Sequence, residues 1–401
     1  MKIVSVECFM GPFITMKINT DAGISGFGEP SLSFGKCRLA VWGNCQEFAK
    51  TIIGMDPFDT EKIWENLYRE TFWGMNGGVT VTSAMSAIDM ACWDIKGKAL
   101  GVPVYKLLGG KTNSKLQAYA SQLQFGWRSY IEKHDKLTLL YDPQDYYDVV
   151  KDAMADGYKV VKLNPVFAAR EAPIVDGSAP GEVFKVPGVK TRGYYPVADL
   201  KCVVERVAAA REAGGEDLGI IIELHSLLDA NTAAVLGREL EPYRILCFEE
   251  PTMPSNPSVY RHIKEKCNIP LATGERCYTR WGIRQFFEDR TLDIVQPDLC
   301  NTGGFTETKK ICDMAHVYDV GVQLHCSGGP ISTAAALHLE AAIPNFVIHE
   351  EHNANFKTVF KKSGKYVYET KDGMYDIPEL PGIGQEMSEW AMENSTRVII
   401  E

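Results

Sequence analysis

The sequence predicts an α/β chain: a (β/α)8-type, TIM-like barrel preceded by a small α+β domain. Three observations carry this prediction. From about residue 116 onward, eight short β-branched runs alternate with segments of helical periodicity, the pattern of a parallel barrel. Before that point the chain reads as short alternating strands and then as helices, a change of style that marks a separate domain. No glycine-rich dinucleotide fingerprint follows any of the runs, which disfavours the open doubly wound sheet that would otherwise share the alternation.

In chain order, "ITMKINTDAGISGFGEP" alternates around DAG and GFGEP turn signals and predicts an antiparallel sheet. "DTEKIWENLYRETF" and "VTSAMSAIDMACWDIKGKALG" place apolar residues near the helical period. The second ends at Gly101, with Pro103 just beyond, and is small or apolar on nearly every side, so a buried helix is expected. Together these segments define a domain over residues 1–115. The barrel is expected over residues 116–355, with strands at "LQAYASQ", "YKVVKLN", "GIIIELH", "RILCFEEP", "IPLATGE", "LDIVQPDL", "VGVQLHC" and "FVIHEEH". Residues 165–198 are rich in Pro and Gly and too long for an ordinary βα connection; insertions of this kind are commonly lids or disordered segments. The last segment, 356–401, ends in "RVIIE" and is closer in style to the first domain than to the barrel, so it is expected to fold back there.

Composition narrows the function. The formal charge of −10 argues against a nucleic-acid partner, which needs a basic patch. It leaves room for an anionic small molecule, because a bound divalent cation can reverse the local field. No run of about 18 apolar residues exists, so no membrane span is expected. The start, "MKIVSVECF", lacks the apolar core of a signal peptide, and the eleven cysteines show no paired metal-type spacing; both features read as a cytoplasmic protein with reduced thiols.

The chemistry lies at the carboxyl ends of the apolar runs. Lys162, Glu223, Glu249, Glu275, Asp298, His325 and Glu350 each end a candidate strand, the last six at intervals of 26, 26, 23, 27 and 25 residues. In a barrel this spacing gathers them at one rim, the face where barrel enzymes keep their active sites. Glu223, Glu249 and Glu275 would lie on neighbouring strands and could not all stay charged without a cation. A hard ion with oxygen ligands, Mg2+ by preference, resolves the repulsion. Asp298 and His325 end adjacent strands, and a carboxylate on one imidazole nitrogen makes the histidine a competent general base. His225, two residues after Glu223, is placed on the same strand face. It could be a general acid, a substrate contact or a structural imidazole. Lys162 and Asn164 could orient a substrate carboxylate, although a lysine tip snorkelling from the rim would look the same. Glu350 could meet a substrate oxygen or anchor the last loop by charge. The other histidines, His134, His262, His316, His338, His349 and His352, fall in helices or loops and read mostly as solvated.

These residues, together with "SAMSAIDMACWDIKGKALGVPVYKLLGG", "FEEP", "IPLATGER", "DIVQPDLCNTGG" and "AIPNFVIHEEH", resemble the enolase superfamily over essentially the whole chain. The likeness falls in the mandelate racemase subgroup, among its acid-sugar dehydratases. The resemblance implies a modified (β/α)7β barrel under an α+β capping domain. It further implies one Mg2+ on Glu223, Glu249 and Glu275, an Asp298–His325 base dyad, and Glu350 in the eighth-strand position. "GFGEPSLSFGK" and "FWGMNGG" would be specificity loops, with Trp73 and Asn76 as candidate substrate contacts. The implied partner is a small-molecule sugar acid, the implied assembly a homo-oligomer. The implied reaction removes the C2 proton and eliminates the 3-hydroxyl, with His225 or a loop tyrosine such as Tyr194 or Tyr195 as the acid. Two departures stand out. The first ligand is Glu223 where the family has Asp, and Asn164 replaces the second-strand lysine base of racemases. Epimerisation or cycloisomerisation of a sugar acid, and a weakly catalytic binding protein, remain the alternatives.

Overall fold

The computed structural model describes residues 1–32, 37–128, 136–138, 140–166, 174–176, 196–352 and 357–401. It forms the expected barrel with an α+β domain beside it. Strands β1 (Ile3–Met10), β2 (Ile14–Thr20) and β3 (Ser25–Gly28) make an antiparallel sheet, and β15 (Thr396–Ile400), from the far end of the chain, adds to the open edge of β1. Alternation sets the register: Val6, Cys8, Met16 and Ile18 are buried against the helices Arg38–Ile52 and Val79–Leu100.

The barrel strands are β4 (Leu116–Ala120), β6 (Val160–Leu163), β8 (Gly219–Glu223), β9 (Cys247–Glu249), β10 (Leu271–Thr273), β11 (Ile294–Val295), β12 (Gly321–Val322) and β13 (His349–Glu351). They pair in parallel in the order β12-β11-β10-β9-β8-β6-β4-β13, and a bridge between Val322 and Phe346 joins the two ends. Off the ring, β14 (Met374–Tyr375) pairs antiparallel with the start of β4, and β5 (Lys136–Thr138) pairs with β7 (Ile174–Asp176). Of these, β7 lies within the long insertion of residues 165–198.

Two apolar layers hold the barrel. The larger fills the space between strands and surrounding helices. The smaller plugs the interior with Tyr119, Val160, Ile221, Cys247, Ala272, Ile294 and Ile348. Because strand side chains alternate with period two, the next inward positions are Ser121, Lys162, Glu223, Glu249, Gly274, Gln296 and Glu350. Polarity therefore begins one layer above the plug, at the carboxyl ends.

The helix Val79–Leu100 joins the two halves and ends at Gly101, which takes the left-handed conformation with φ 66°. On one side it approaches β3 so closely that a Cβ on Gly28 would lie 1.8 Å from the carbonyl oxygen of Ala87. On the other, Asp89 accepts from the Thr306 amide at 3.0 Å and Ser83 donates to Asn301 at 2.9 Å. Asp94 accepts from the amides of Phe27 and Ile383. Among the described residues no helix is long and apolar enough to cross a membrane, and all eleven cysteines are free thiols.

The seam gives a paired stability test. Gly28→Ala should cost about 1–3 kcal/mol, since overpacking against backbone cannot relax. Gly43→Ala, in the helix Arg38–Ile52 with open space around the added Cβ, should gain about 0.5–1 kcal/mol. Urea denaturation of both variants checks the pair, and equal midpoints would contradict the close packing at Gly28.

Candidate active site

A cavity of about 350 Å³ opens at the carboxyl ends of the barrel strands, between the barrel and residues Ser31, Leu32 and Val79 of the first domain. That size suits a small polar ligand. Its floor is built by strand ends whose charges were chosen against burial. Lys162 is almost fully buried, and its ammonium lies 2.8 Å from Glu350, 2.9 Å from Glu249 and 3.5 Å from Glu223. Burial works against its charge, yet Glu249 and Glu350 outweigh burial and hold its pKa well above the ordinary lysine value.

The carboxylates divide by environment. Glu223 and Glu249 are directly paired across β8 and β9 and fully buried. Glu249 is pushed up to about 8, by burial first and by the neighbouring Glu223 second. Glu350 goes the other way. Burial raises it, but Lys162 and His325 more than compensate, and Ser121 Oγ and the Cys326 amide donate to its two oxygens at 2.7 and 2.9 Å. Glu275 is raised by burial and turns outward from the pair. Its Oε1 receives Arg276 at 2.9 Å and its Oε2 lies 3.1 Å from His325 Nε2.

His325 Nδ1 lies 2.7 Å from Asp298 Oδ2, and Asp298 Oδ1 accepts from the Cys300 amide at 2.7 Å, so the carboxylate is fixed before it fixes the imidazole. Burial pulls the imidazole down, but Glu275, Asp298 and Glu350 together raise it to about 10. Across the cavity, His225 is pulled down to about 3 by loss of solvent, with Arg276 and Lys162 adding repulsion. The Asn164 amide nitrogen stands 3.2 Å from His225 Nδ1. An amide nitrogen can only donate there, which leaves the imidazole hydrogen on Nε2.

The structure thus gathers Lys162, Asn164, Glu223, His225, Glu249, Glu275, Asp298, His325 and Glu350 at one rim. It treats other expectations differently. Trp73 is 80% exposed and neither it nor Asn76 lines the cavity. The strand that should carry His225 stops at Glu223. His225 reaches the cavity through a left-handed turn, φ 44°, with its amide donating to Glu223 Oε1 at 2.7 Å. His338, His349 and His352 are buried rather than solvated. They pair with the Ile383 carbonyl, Glu340 and the Gly328 carbonyl, while His349 Nε2 and His352 Nδ1 are buried without a hydrogen bond. Tyr194, Tyr195, His134 and the end of "GFGEPSLSFGK" lie outside the described residues.

Sequence reasoning missed Arg276, Tyr278, Gln122, Gln124 and Asn301, all of which line the cavity. Arg276 could have been found, since it directly follows a strand-end glutamate. The two glutamines follow β4, where no charged residue drew attention.

The residues suit a divalent cation in part. Glu249 Oε2 is buried without a hydrogen bond, and Glu223 Oε2 accepts none and has the Lys162 ammonium 3.5 Å away, so both leave room for a further positive partner. The donors are all oxygen, the preference of Mg2+. Among the described residues, however, no three acidic, cysteine or histidine side chains are already arranged to hold a metal ion, and Glu275 Oε2 faces His325.

Comparison with known proteins adds the family. The pattern described as "Mandelate racemase / muconate lactonizing enzyme, N-terminal domain" matches residues 4–109, and "Enolase C-terminal domain-like" matches residues 145–391. The chain is 34% identical to D-galactonate dehydratase of Pectobacterium atrosepticum and 33% identical to that of Ralstonia pickettii, in each case over 97% of this chain and 93% of the relative. A solved member of the enolase superfamily from Salmonella Typhimurium superposes with a TM-score of 0.93 at 45% identity, covering 100% of both chains.

The floor makes one prediction independent of any activity. Lys162→Met leaves buried carboxylates without their counter-charge and should destabilise the protein by about 3–5 kcal/mol. Urea denaturation in EDTA measures it, and an unchanged midpoint would remove Lys162 from that role.

Proposed function

The chain belongs to the enolase superfamily, in its mandelate racemase and muconate lactonizing branch. From that premise we propose that it is a hydro-lyase that dehydrates a sugar acid to a 2-keto-3-deoxy acid. The observation that carries the reading is the pair of histidines with opposite surroundings across one cavity: His325 backed by Asp298, and His225 backed by Asn164. Dehydration needs a base and an acid on the two sides of one carbon–carbon bond. The galactonate dehydratases among the relatives support the reaction class.

In this reading Glu223, Glu249 and Glu275 hold Mg2+, which when bound supplies the Lewis-acid charge that makes a proton beside a carboxylate removable. Lys162 adds fixed positive charge at the same end of the cavity. His325 takes the proton from C2. It can do so only with Glu275 drawn away from Nε2, since Glu275 is foremost among the charges that keep the imidazole protonated. Asp298 holds the ring through Nδ1 and stabilises the imidazolium as it forms. The C2–H electrons pass into the substrate carboxylate as an enediolate. Its collapse forms the C2–C3 double bond as the C3–O bond breaks, and His225, which has to enter this step as imidazolium beside the negatively charged substrate, gives its Nε2 proton to the departing hydroxyl, releasing water and returning to the neutral ring. The enol then ketonises. Asn164 has no basic nitrogen, so no second-strand base competes with His325.

The two histidines should separate in experiment. His325→Asn should abolish both turnover and exchange of the C2 proton with solvent. His225→Gln should lower dehydration by about 10²–10⁴-fold while C2 exchange continues. Exchange retained in His325→Asn would reject the base assignment. Substrate class is tested with a panel of aldonic and aldaric acids in Mg2+, scoring semicarbazide-reactive keto acid. Epimers without keto acid would replace dehydration by epimerisation, and no reaction at all across the panel would favour a binding protein.

A further inference from the structure

We propose that the ion pair between Glu250 and Arg276 is a clamp on the three strand ends that carry Glu223, Glu249 and Glu275, so that both are positioning residues for divalent-cation binding. The inference rests on the cation assignment made above and goes beyond it.

Glu250 directly follows Glu249, and Arg276 directly follows Glu275. Glu250 is fully buried, and its backbone is left-handed with φ 45°. A glutamate keeps that conformation only where its surroundings over-determine it. Here they do. Its amide donates to the Ala272 carbonyl at 3.0 Å, and its carbonyl accepts from the Ser226 amide at 2.8 Å. Its carboxylate accepts from Ser226 Oγ at 3.3 Å and meets the Arg276 guanidinium. Ser226 lies just beyond Glu223. One buried residue therefore touches the chain immediately after each of the three ligand-bearing strands. Arg276 extends the contact: its Nη1, the nitrogen that meets Glu250, also lies 2.9 Å from Glu275 Oε1. A lysine ammonium would supply the charge but not the planar geometry of the guanidinium. Without the pair, the ligand oxygens would keep their chemistry and lose their spacing.

The test titrates the metal-free, full-length protein with Mg2+ by calorimetry and with Mn2+ by electron paramagnetic resonance. Glu250→Gln and Arg276→Met should each weaken binding tenfold to a hundredfold, the usual cost of removing a residue that orients ligands. The double variant should be no worse than the poorer single one, because both break one interaction. Arg276→Lys should recover part of the loss. Thermal midpoints in EDTA report folding, and if Glu250→Gln does not fold, the Arg276 variants decide, since Arg276 is 42% exposed. Binding within twofold of wild type in the single variants, or losses that add in the double, would overturn the clamp alone. A wild-type protein that binds neither ion would overturn the cation assignment, and the clamp with it.

Discussion

Lys162 stands between 2.8 and 3.5 Å from three carboxylates, and that crowding governs what surrounds it. Buried like charges raise one another's pKa unless something positive intervenes. The barrel supplies one ammonium for Glu223, Glu249 and Glu350, one guanidinium for Glu250 and Glu275, and one imidazole between Glu275 and Asp298. Negative charge still exceeds positive, and the excess appears as the raised Glu249 and the Oε2 atoms of Glu223 and Glu249, which accept no hydrogen bond. A floor of this kind is poor design for stability alone, because well-packed apolar residues would hold it better. Its form makes sense when the deficit of positive charge is the working feature.

Acids also fasten the first domain over that floor, and there they are satisfied by main-chain donors. Asp94 joins β3 to the segment near Ile383, Asp89 joins the central helix to Thr306, and Glu29, pushed up to about 8 by burial, receives the amides of Gly329 and Ser332. Glu29 follows β3 and precedes Ser31 and Leu32, which line the cavity. Its partners open the helix Pro330–Ala342, just after His325. The contact therefore fixes the cavity's upper wall relative to its base. This explains polar residues on a helix and strand that otherwise read as core.

The barrel was legible in the sequence because its signal is repetitive: eight apolar runs, the seven after the first each closed by a polar residue, at intervals close to one βα unit. The same regularity picked out Glu223, Glu249, Glu275, Asp298, His325 and Glu350 as neighbours at one rim. What periodicity cannot carry is the path of the chain after a strand stops. His225 lies in a left-handed turn, so its approach to the cavity did not follow from strand alternation even though the residue was singled out. The buried His338, His349 and His352 were misread for a related reason. Their partners, the Ile383 carbonyl, Glu340 and the Gly328 carbonyl, are set by tertiary packing and leave no mark nearby in sequence. Trp73 was a candidate contact only through the likeness of "FWGMNGG" to a specificity loop, and local sequence does not say which way an exposed aromatic faces.

The cavity separates two tasks by chemistry. Charged groups sit on the floor, within a few ångströms of one another. The walls add Ser31, Gln122, Gln124, Asn164 and Asn301, which are neutral and both donate and accept hydrogen bonds. A site that hydrogen-bonds hydroxyl groups rejects an analogue lacking one far more strongly than an apolar wall rejects a missing methylene, because its own polar atoms would be left unpaired. Stereochemistry in a polyhydroxy acid is a matter of where each hydroxyl points. Selectivity among such acids should therefore be written in these neutral side chains and in the first domain's loop, while the carboxylates and histidines below stay common to every substrate the cavity accepts.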